Sequence, residues 1–340
     1  VKKVRIEDAA GLVLAHDLTK IIPGEFKGPA FKKGYVIKKE DVEILKDMGK
    51  YHIYVLELNK GDIHENEAAE RIARAIAGDN IYFSGPSEGK IELKAKKRGI
   101  VKINVEGLNK INEIDDIVVA TIHTNTLVGE GQNLAATRII PLVIKDEKIK
   151  KVEELGREYY NNIITVKALK PLRIGVVVVG TEVYEGRIKD KFLPVMEEKI
   201  KRYGCSLIGT KYSPDDTKLI ENKIKSLIEK GADIVLTCGG MSVDADDVTP
   251  QAIRNAADRV VSYGIPAIPG NMLMLAYRGK IAIFGIPGSA IYVKNTSLDL
   301  LLPRVLAGET LTRKDMISYG HGGLCPGCKV CVFPDCPFGK

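Results

Sequence analysis

Tryptophan is absent from this 340-residue sequence, and aromatic residues make up only 6% of it. The missing Trp excludes nothing by itself. The aromatic scarcity tells in the densest basic run, KIELKAKKRGIVK, which lacks the stacking side chains of a nucleic-acid platform and alternates like an exposed strand. No apolar run approaches the roughly 18 residues of a membrane helix, so no membrane association is expected. VKKVRIEDAAGLVLAHDL carries charge close on both sides of a very short apolar core, a poor signal peptide, and the cytoplasm is the expected compartment. Histidine is also sparse: His16, His52, His64, His123 and His321 lie far apart with no ligand spacing. Internal repeats and low-complexity tracts are missing, which excludes a solenoid.

What is present describes an ordinary soluble protein, 45% hydrophobic and 28% charged, long enough for more than one domain. The formal charge of +7 would attract nucleotides or phosphorylated cofactors, although a solvated Lys/Glu surface accounts for it without nucleic acid. Four segments are expected. Residues 1–60 are short and mixed, with a helix over Lys39 to Met48, a stop at Gly49 and a strand near Ile53 to Leu58. Residues 61–167 open with the helix HENEAAERIARAIAG, whose Ala68, Ile72, Ala75 and Ile76 share a face. Alternating runs follow (KIELKA, IVKINV, IVVATIH, ATRIIPLVI), so this segment is expected to be β-rich.

Over 168–312 the pattern becomes strand, helix, strand, helix: RIGVVVVGTEV, KFLPVMEEKIKRYG, CSLIGTKYSPDD, TKLIENKIKSLIEKG, ADIVLTCGG. That spacing predicts right-handed βαβ units and a parallel sheet covered on both faces, with ligands beyond the carboxyl ends of its strands. Gly180 to Glu182, Pro214 to Asp216 and Cys238 to Asp247 each fall at such an end. In TCGGMSVDADDVTP, Gly239 and Gly240 allow backbone amides to approach a phosphate, and Asp247 or Thr249 is the expected N-cap of a helix opening at Pro250. Capping does not account for Asp244, Asp246 and Asp247 together. Carboxylates beside a phosphate repel it unless a hard cation such as Mg²⁺ intervenes, and Asp215 with Asp216 offers a further pair. Pro287, Gly288 and Ser289 form another candidate helix start.

VVGTEVYEG, SPDD, ADIVLTCGGMSVDADDVTP, IPGNMLMLAY and GIPGSA, in that order, resemble the molybdopterin-binding domain shared by the MoaB/Mog and MoeA/gephyrin families of molybdenum cofactor biosynthesis. The resemblance spans about two-fifths of the chain and implies a three-layer α/β/α domain that binds the pterin phosphate at the strand ends. It implies Asp215, Asp247 and Glu182 as catalytic residues, the two aspartates also holding Mg²⁺. The implied cofactor-binding set is Gly180, Thr181, Gly239, Gly240, Ser242, Pro287, Gly288 and Ser289. The implied ligands are molybdopterin or its adenylylated form, with ATP or molybdate. The implied activity is of molybdotransferase or adenylyltransferase type: adenylyl transfer, or hydrolysis coupled to molybdate insertion. The resemblance also implies a homodimer and a molybdoenzyme or cofactor-pathway partner. GGMSV and PGNMLMLAY are similar to the MoeA side and DDVTP to the Mog side. AGLVLAHDL, with KKGYVIKKEDVEILKDMG, gives the N-terminal segment a MoeA-like character. Asn271-Met272 stands where the MoeA loop has Lys-Pro. GG-x5-DD-V-T, Gly239 to Thr249, is also similar to a CinA-type nucleotide pyrophosphatase, and a non-catalytic cofactor carrier or sensor is the third reading.

Residues 313–340 hold Cys325, Cys328, Cys331 and Cys336 at C-x2-C-x2-C-x4-C. Four thiols this close do not pair comfortably as disulfides and are expected to bind metal, as an iron–sulfur cluster or as tetrahedral Zn²⁺. The tail lies outside the family pattern. His321 is a further candidate ligand, and Cys205 and Cys238 read as core thiols.

Overall fold

The computed structural model describes residues 1–22, 26–56, 60–87 and 89–340. They form two compact units: one of Val1–Lys97, Lys102–Ile122 and Glu130–Val166, the other of Arg98–Val101, His123–Gly129 and Lys167–Lys340. Among the described residues no helix is long and apolar enough to cross a membrane.

In the first unit a small core gathers Ile6, Leu14, Ile37, Leu45 and Ile53. The helix expected over Lys39 to Met48 spans Asp41–Asp47. It starts late because the Asp41 carboxylate accepts the Lys38 amide at 2.8 Å, closing a turn ahead of it. The strand expected near Ile53 to Leu58 runs His52–Val55, and Leu58 lies outside the described residues. Helix Glu65–Ile76 buries Ala68, Ile72, Ala75 and Ile76 as the periodicity predicts. An antiparallel sheet follows, in the order Ile81–Ser87, Lys90–Ala95, Asn133–Ile139, Ile117–Thr121. Two further helices, Val105–Asn112 and Asp146–Glu158, interrupt the strands. This part is β-rich as expected, with two helices the sequence reading did not mark. Arg71 ties helix Glu65–Ile76 to the last of these through Glu153 and Asp146, both at 2.7 Å.

In the second unit the elements are β1 (Arg173–Val179), α1 (Thr181–Tyr184), α2 (Phe192–Arg202), β2 (Ser206–Ser213), α3 (Thr217–Glu229), β3 (Ile234–Cys238), α4 (Thr249–Ala256), β4 (Arg259–Tyr263), β5 (Met274–Arg278), β6 (Ile281–Ile286), α5 (Ser289–Tyr292), α6 (Ser297–Leu306) and α7 (Arg313–Ile317). The sheet order is β2-β1-β3-β6-β5-β4. β2, β1, β3 and β6 are parallel, as the alternating pattern predicts. β5 and β4 extend the edge antiparallel, a departure from an all-parallel sheet. The cause is local: Gly279-Lys280 reverses the chain between β5 and β6, and a two-residue connection joins only antiparallel strands.

The near-continuous apolar run of β1 is used on both faces. Ile174, Val176 and Val178 enter a core with Met196 and Ile200 of α2 and Leu298, Leu301 and Leu302 of α6. Val177 and Val179 face the other way, against Ile220, Ile224 and Leu227 of α3 and Ile253 of α4. Helices thus cover both faces of the sheet, and each such buried side chain contributes about 1.5–3 kcal/mol. A buried ion pair fixes α2 to the start of α6: Lys199 donates to Asp299 at 2.7 Å, with side chains 4% and 0% exposed. Asp299 also accepts the Tyr203 hydroxyl at 3.0 Å and the Thr296 amide at 2.8 Å, so the buried charge is fully paired.

Candidate functional site

Because β2, β1, β3 and β6 run in parallel, their carboxyl ends lie on one edge of the sheet, and the segments Gly180, Pro214-Asp215, Gly239-Gly240 and Pro287-Gly288 leave from it. A cleft of about 970 Å³ opens there. Its walls include Gly180, Glu182, Asp215, Gly239, Gly240, Ser242, Asp244, Asp246, Asp247, Pro287 and Gly288. Residues far apart in sequence therefore meet at one place. Thr181 and Ser289 stand just behind the lining.

Gly239 and Gly240 have φ of +96° and +61°. A Cβ at Gly239 would collide with the Val179 carbonyl oxygen, and one at Gly240 with the Thr249 hydroxyl. Both positions thus demand glycine for conformation and for space. Among the described residues four buried hydroxyl oxygens in or just after these strands have no partner, Ser213, Thr237, Thr249 and Ser289, and none of them lines the cleft. Leaving each unsatisfied costs about 1–3 kcal/mol.

The two aspartates are held from behind. Asp215 Oδ2 accepts the Thr181 amide at 2.8 Å and its hydroxyl at 2.9 Å. Asp247 Oδ2 accepts the Ser242 amide at 2.7 Å. Among the described residues neither Oδ1 has a hydrogen-bond partner, so each carboxylate keeps one oxygen for a ligand. These hard oxygen donors on one cleft fit Mg²⁺, which takes one or two carboxylates and completes its shell with water and phosphate oxygens. No three His, Cys, Asp or Glu side chains converge on a single point among the described residues.

Several expectations need correcting. Asp216 does not join Asp215 in the cleft; it is the N-cap of α3, accepting the Leu219 amide at 2.7 Å. Neither Asp247 nor Thr249 caps α4, whose N-cap is Val248 with no side-chain bond. The acidic loop folds back instead, with the Asp247 amide on the Asp244 carbonyl at 3.0 Å and its carboxylate on Ser242. After Pro287-Gly288 only the single turn of α5 forms, and the long helix α6 starts afresh at a Thr296 capping box. Too little helix follows Ser289 to build a dipole there.

The sequence reading missed Lys189, Asp190, Lys191, Phe192 and Tyr292, all on the cleft wall, where Met272 of the noted Asn271-Met272 replacement also lies. RIKDKF, with two lysines just ahead of α2, was the available signal. The lining sets six carboxylates against two lysines. Asp190 is partly structural, accepting the Phe192 amide at 2.7 Å and the Tyr212 hydroxyl at 3.1 Å. Burial, with Asp190 adding to it, raises the Tyr212 hydroxyl above its ordinary pKa. Burial and the Asp247 charge do the same for Tyr263, which donates to the Met241 carbonyl at 2.9 Å and braces the loop. Cys238 is fully buried, and burial drives its thiol far up, leaving it inert. Cys205 is half-buried at the start of β2, its thiol likewise raised by burial.

In the tail, Cys325 and Cys336 are half-buried and Cys328 and Cys331 exposed, all as free thiols. All four line one cavity; exposed His321 does not.

Comparison with known proteins places this geometry. Residues 175–307 match a family model described as "Probable molybdopterin binding domain", and residues 3–57 match one described as "Domain of unknown function (DUF8806)". A CinA-like protein of Mycobacterium leprae is 31% identical over 87 residues, 26% of this chain and 20% of the relative. One from Mycolicibacterium vanbaalenii is 29% identical over 126 residues, 36% of this chain and 29% of the relative. The chain thus spans only a fifth to under a third of the length of these curated relatives. Among solved structures, MoaB of Thermus thermophilus is 22% identical with a TM-score of 0.37, over 41% of this chain and 98% of that one. CinA of Thermoplasma acidophilum is 14% identical with a TM-score of 0.34, over 40% and 98%. Residues 175–307, the segment that builds the cleft, are a domain of the molybdopterin-binding family.

Proposed function

We propose that this protein binds molybdopterin or its adenylylated form in the cleft and acts on it with Mg²⁺ held by Asp215 and Asp247. The reaction is adenylyl transfer, or hydrolysis coupled to molybdate insertion. The observation that carries this reading is the convergence on one cleft of the Gly239-Gly240 turn and two braced carboxylates, Asp215 and Asp247. A phosphate beside Gly239 and Gly240 would meet backbone at close range. In a lining this acidic it requires a cation between itself and the aspartates. When bound, Mg²⁺ would neutralise charge on the reacting phosphates. The chain's own part is positional: Thr181 and Ser242 fix the carboxylates, and Lys189 and Lys191 supply cations to a cleft in which the MoeA-type loop lysine is replaced by Asn271. Glu182, on the same wall, is the group available to hold a proton for an attacking water or phosphate.

The second reading, a nucleotide pyrophosphatase, is favoured by the CinA-like relatives and by the loop Gly239 to Thr249. The test is a titration with molybdopterin and adenylylated molybdopterin, with and without Mg²⁺, following binding and AMP release. Pterin binding tightened at least about tenfold by Mg²⁺, with turnover, is expected. AMP release from an ADP-ribose-like substrate with no pterin affinity would instead establish the pyrophosphatase. Pterin binding without turnover would make the protein a carrier or sensor.

A further inference from the structure

The cysteine tail has no part in the cleft chemistry, yet it is not a loose end. Leu324 forms a parallel bridge with Ile268; the Ile268 amide donates to the Gly323 carbonyl at 2.7 Å and the Cys325 amide to the Ile268 carbonyl at 2.8 Å. Phe338, 2% exposed, is part of the core beneath the sheet, and Phe333, Cys325 and Cys336 pack against it. Between these anchors the chain has neither helix nor strand. Something other than backbone pairing must order the segment that carries the thiols.

All four cysteines line a single cavity of about 150 Å³, walled otherwise by apolar side chains such as Val293, Phe333 and Phe338. A tetrahedral zinc ion holds its sulfurs at 2.3 Å, hence about 3.8 Å from one another. Here the four thiols line a cavity of their own rather than closing on a single point in the core. A cubane cluster, with a metal at each of four separated corners, is the group that four thiolates around a small apolar cavity can hold. Asn295, 5% exposed, donates its amide N–H to Cys331 Sγ at 3.1 Å. A hydrogen bond from a buried amide to a ligand sulfur is the kind of contact that tunes such a cluster.

We infer that Cys325, Cys328, Cys331 and Cys336 ligate one [4Fe–4S] cluster in this cavity, each thiol giving up its proton on binding. Asn295 is a positioning residue for the Cys331 sulfur.

The test uses the full chain, purified without air and reconstituted with ferric iron, sulfide and an excess of dithiothreitol as reductant, followed by metal and sulfide analysis and electron paramagnetic resonance after dithionite reduction. About four irons and four sulfides per chain are expected, with a paramagnetic signal on reduction. The Cys328→Ser/Cys331→Ser double variant loses them while its far-ultraviolet circular dichroism is unchanged. Asn295→Ala keeps all four thiols and therefore keeps the cluster, but moves its midpoint potential to more negative values. Stoichiometric zinc with no iron under the same conditions, or iron undiminished in the double variant, would overturn the assignment.

Discussion

Asp215 and Asp216 are chemically identical neighbours with opposite employments. Asp215 turns inward, its Oδ2 held by Thr181, while exposed Asp216 receives the Leu219 amide. Asp215→Asn keeps an acceptor for Thr181, so the fold is expected to stay within about 1 kcal/mol of the parent. Loss of the charge should abolish the effect of Mg²⁺ on pterin affinity and slow any turnover by about 100-fold or more. Calorimetric titration with and without Mg²⁺ checks this; an undiminished Mg²⁺ effect would remove Asp215 from the site. From sequence the two aspartates could not be told apart, because both lie in one DD pair at a strand end. Only the placement of the α3 start separates them. Gly239 and Gly240 were legible for a firmer reason: side-chain-free residues at the end of an apolar strand have few uses besides a tight turn or a close approach.

At the scale of the element, Asp216→Ala should cost about 1 kcal/mol through the lost cap of α3 and leave pterin binding untouched. Chemical denaturation beside a binding titration reads both. α7 carries a pH signature. Burial pushes the Asp315 carboxyl up, but hydrogen bonds from Thr312 and the Arg304 guanidinium at 2.6 Å outweigh it and bring the pKa down to about 2 from the usual 3.8. A depressed carboxyl stabilises the fold above its unfolded pKa and ceases to do so as pH falls through the folded one. Asp315→Asn is therefore expected to be less stable than the parent above about pH 4 and indistinguishable from it below about pH 2, by thermal melts across that range. The parallel strands and their helices could be read from the sequence because a run such as Val176–Val179 is buried on both faces. The direction of β5 is carried by the hairpin-like turn at Gly279-Lys280 and not by the burial pattern, which has no polarity. Helices Val105–Asn112 and Asp146–Glu158 escaped notice because each buries only two or three residues, too few to make a period visible.

At the scale of the molecule, the unit that carries the cleft is assembled from three stretches of chain. Ile100 and Leu127, 1% and 8% exposed, belong to the same core as β1 and α6. A fragment of residues 167–340 lacks both and should lose about 3–6 kcal/mol of stability, judged by denaturant midpoint. An unchanged midpoint would show that those stretches are dispensable. Motifs mark a site well and interleaving poorly: nothing in residues 98–101 or 123–129 announces that they belong with a sheet beginning at Arg173.

That threading bears on how the chain is made. The polypeptide passes between the two units at 97/98, 101/102, 122/123, 129/130 and 166/167. On a ribosome, the stretches holding Ile100 and Leu127 emerge long before the strands that will bury them. The first unit is complete once Val166 is out, so it can close while these two stretches still wait in water. During that interval their apolar side chains are open to wrong partners, and the second half of synthesis decides whether they find the right one.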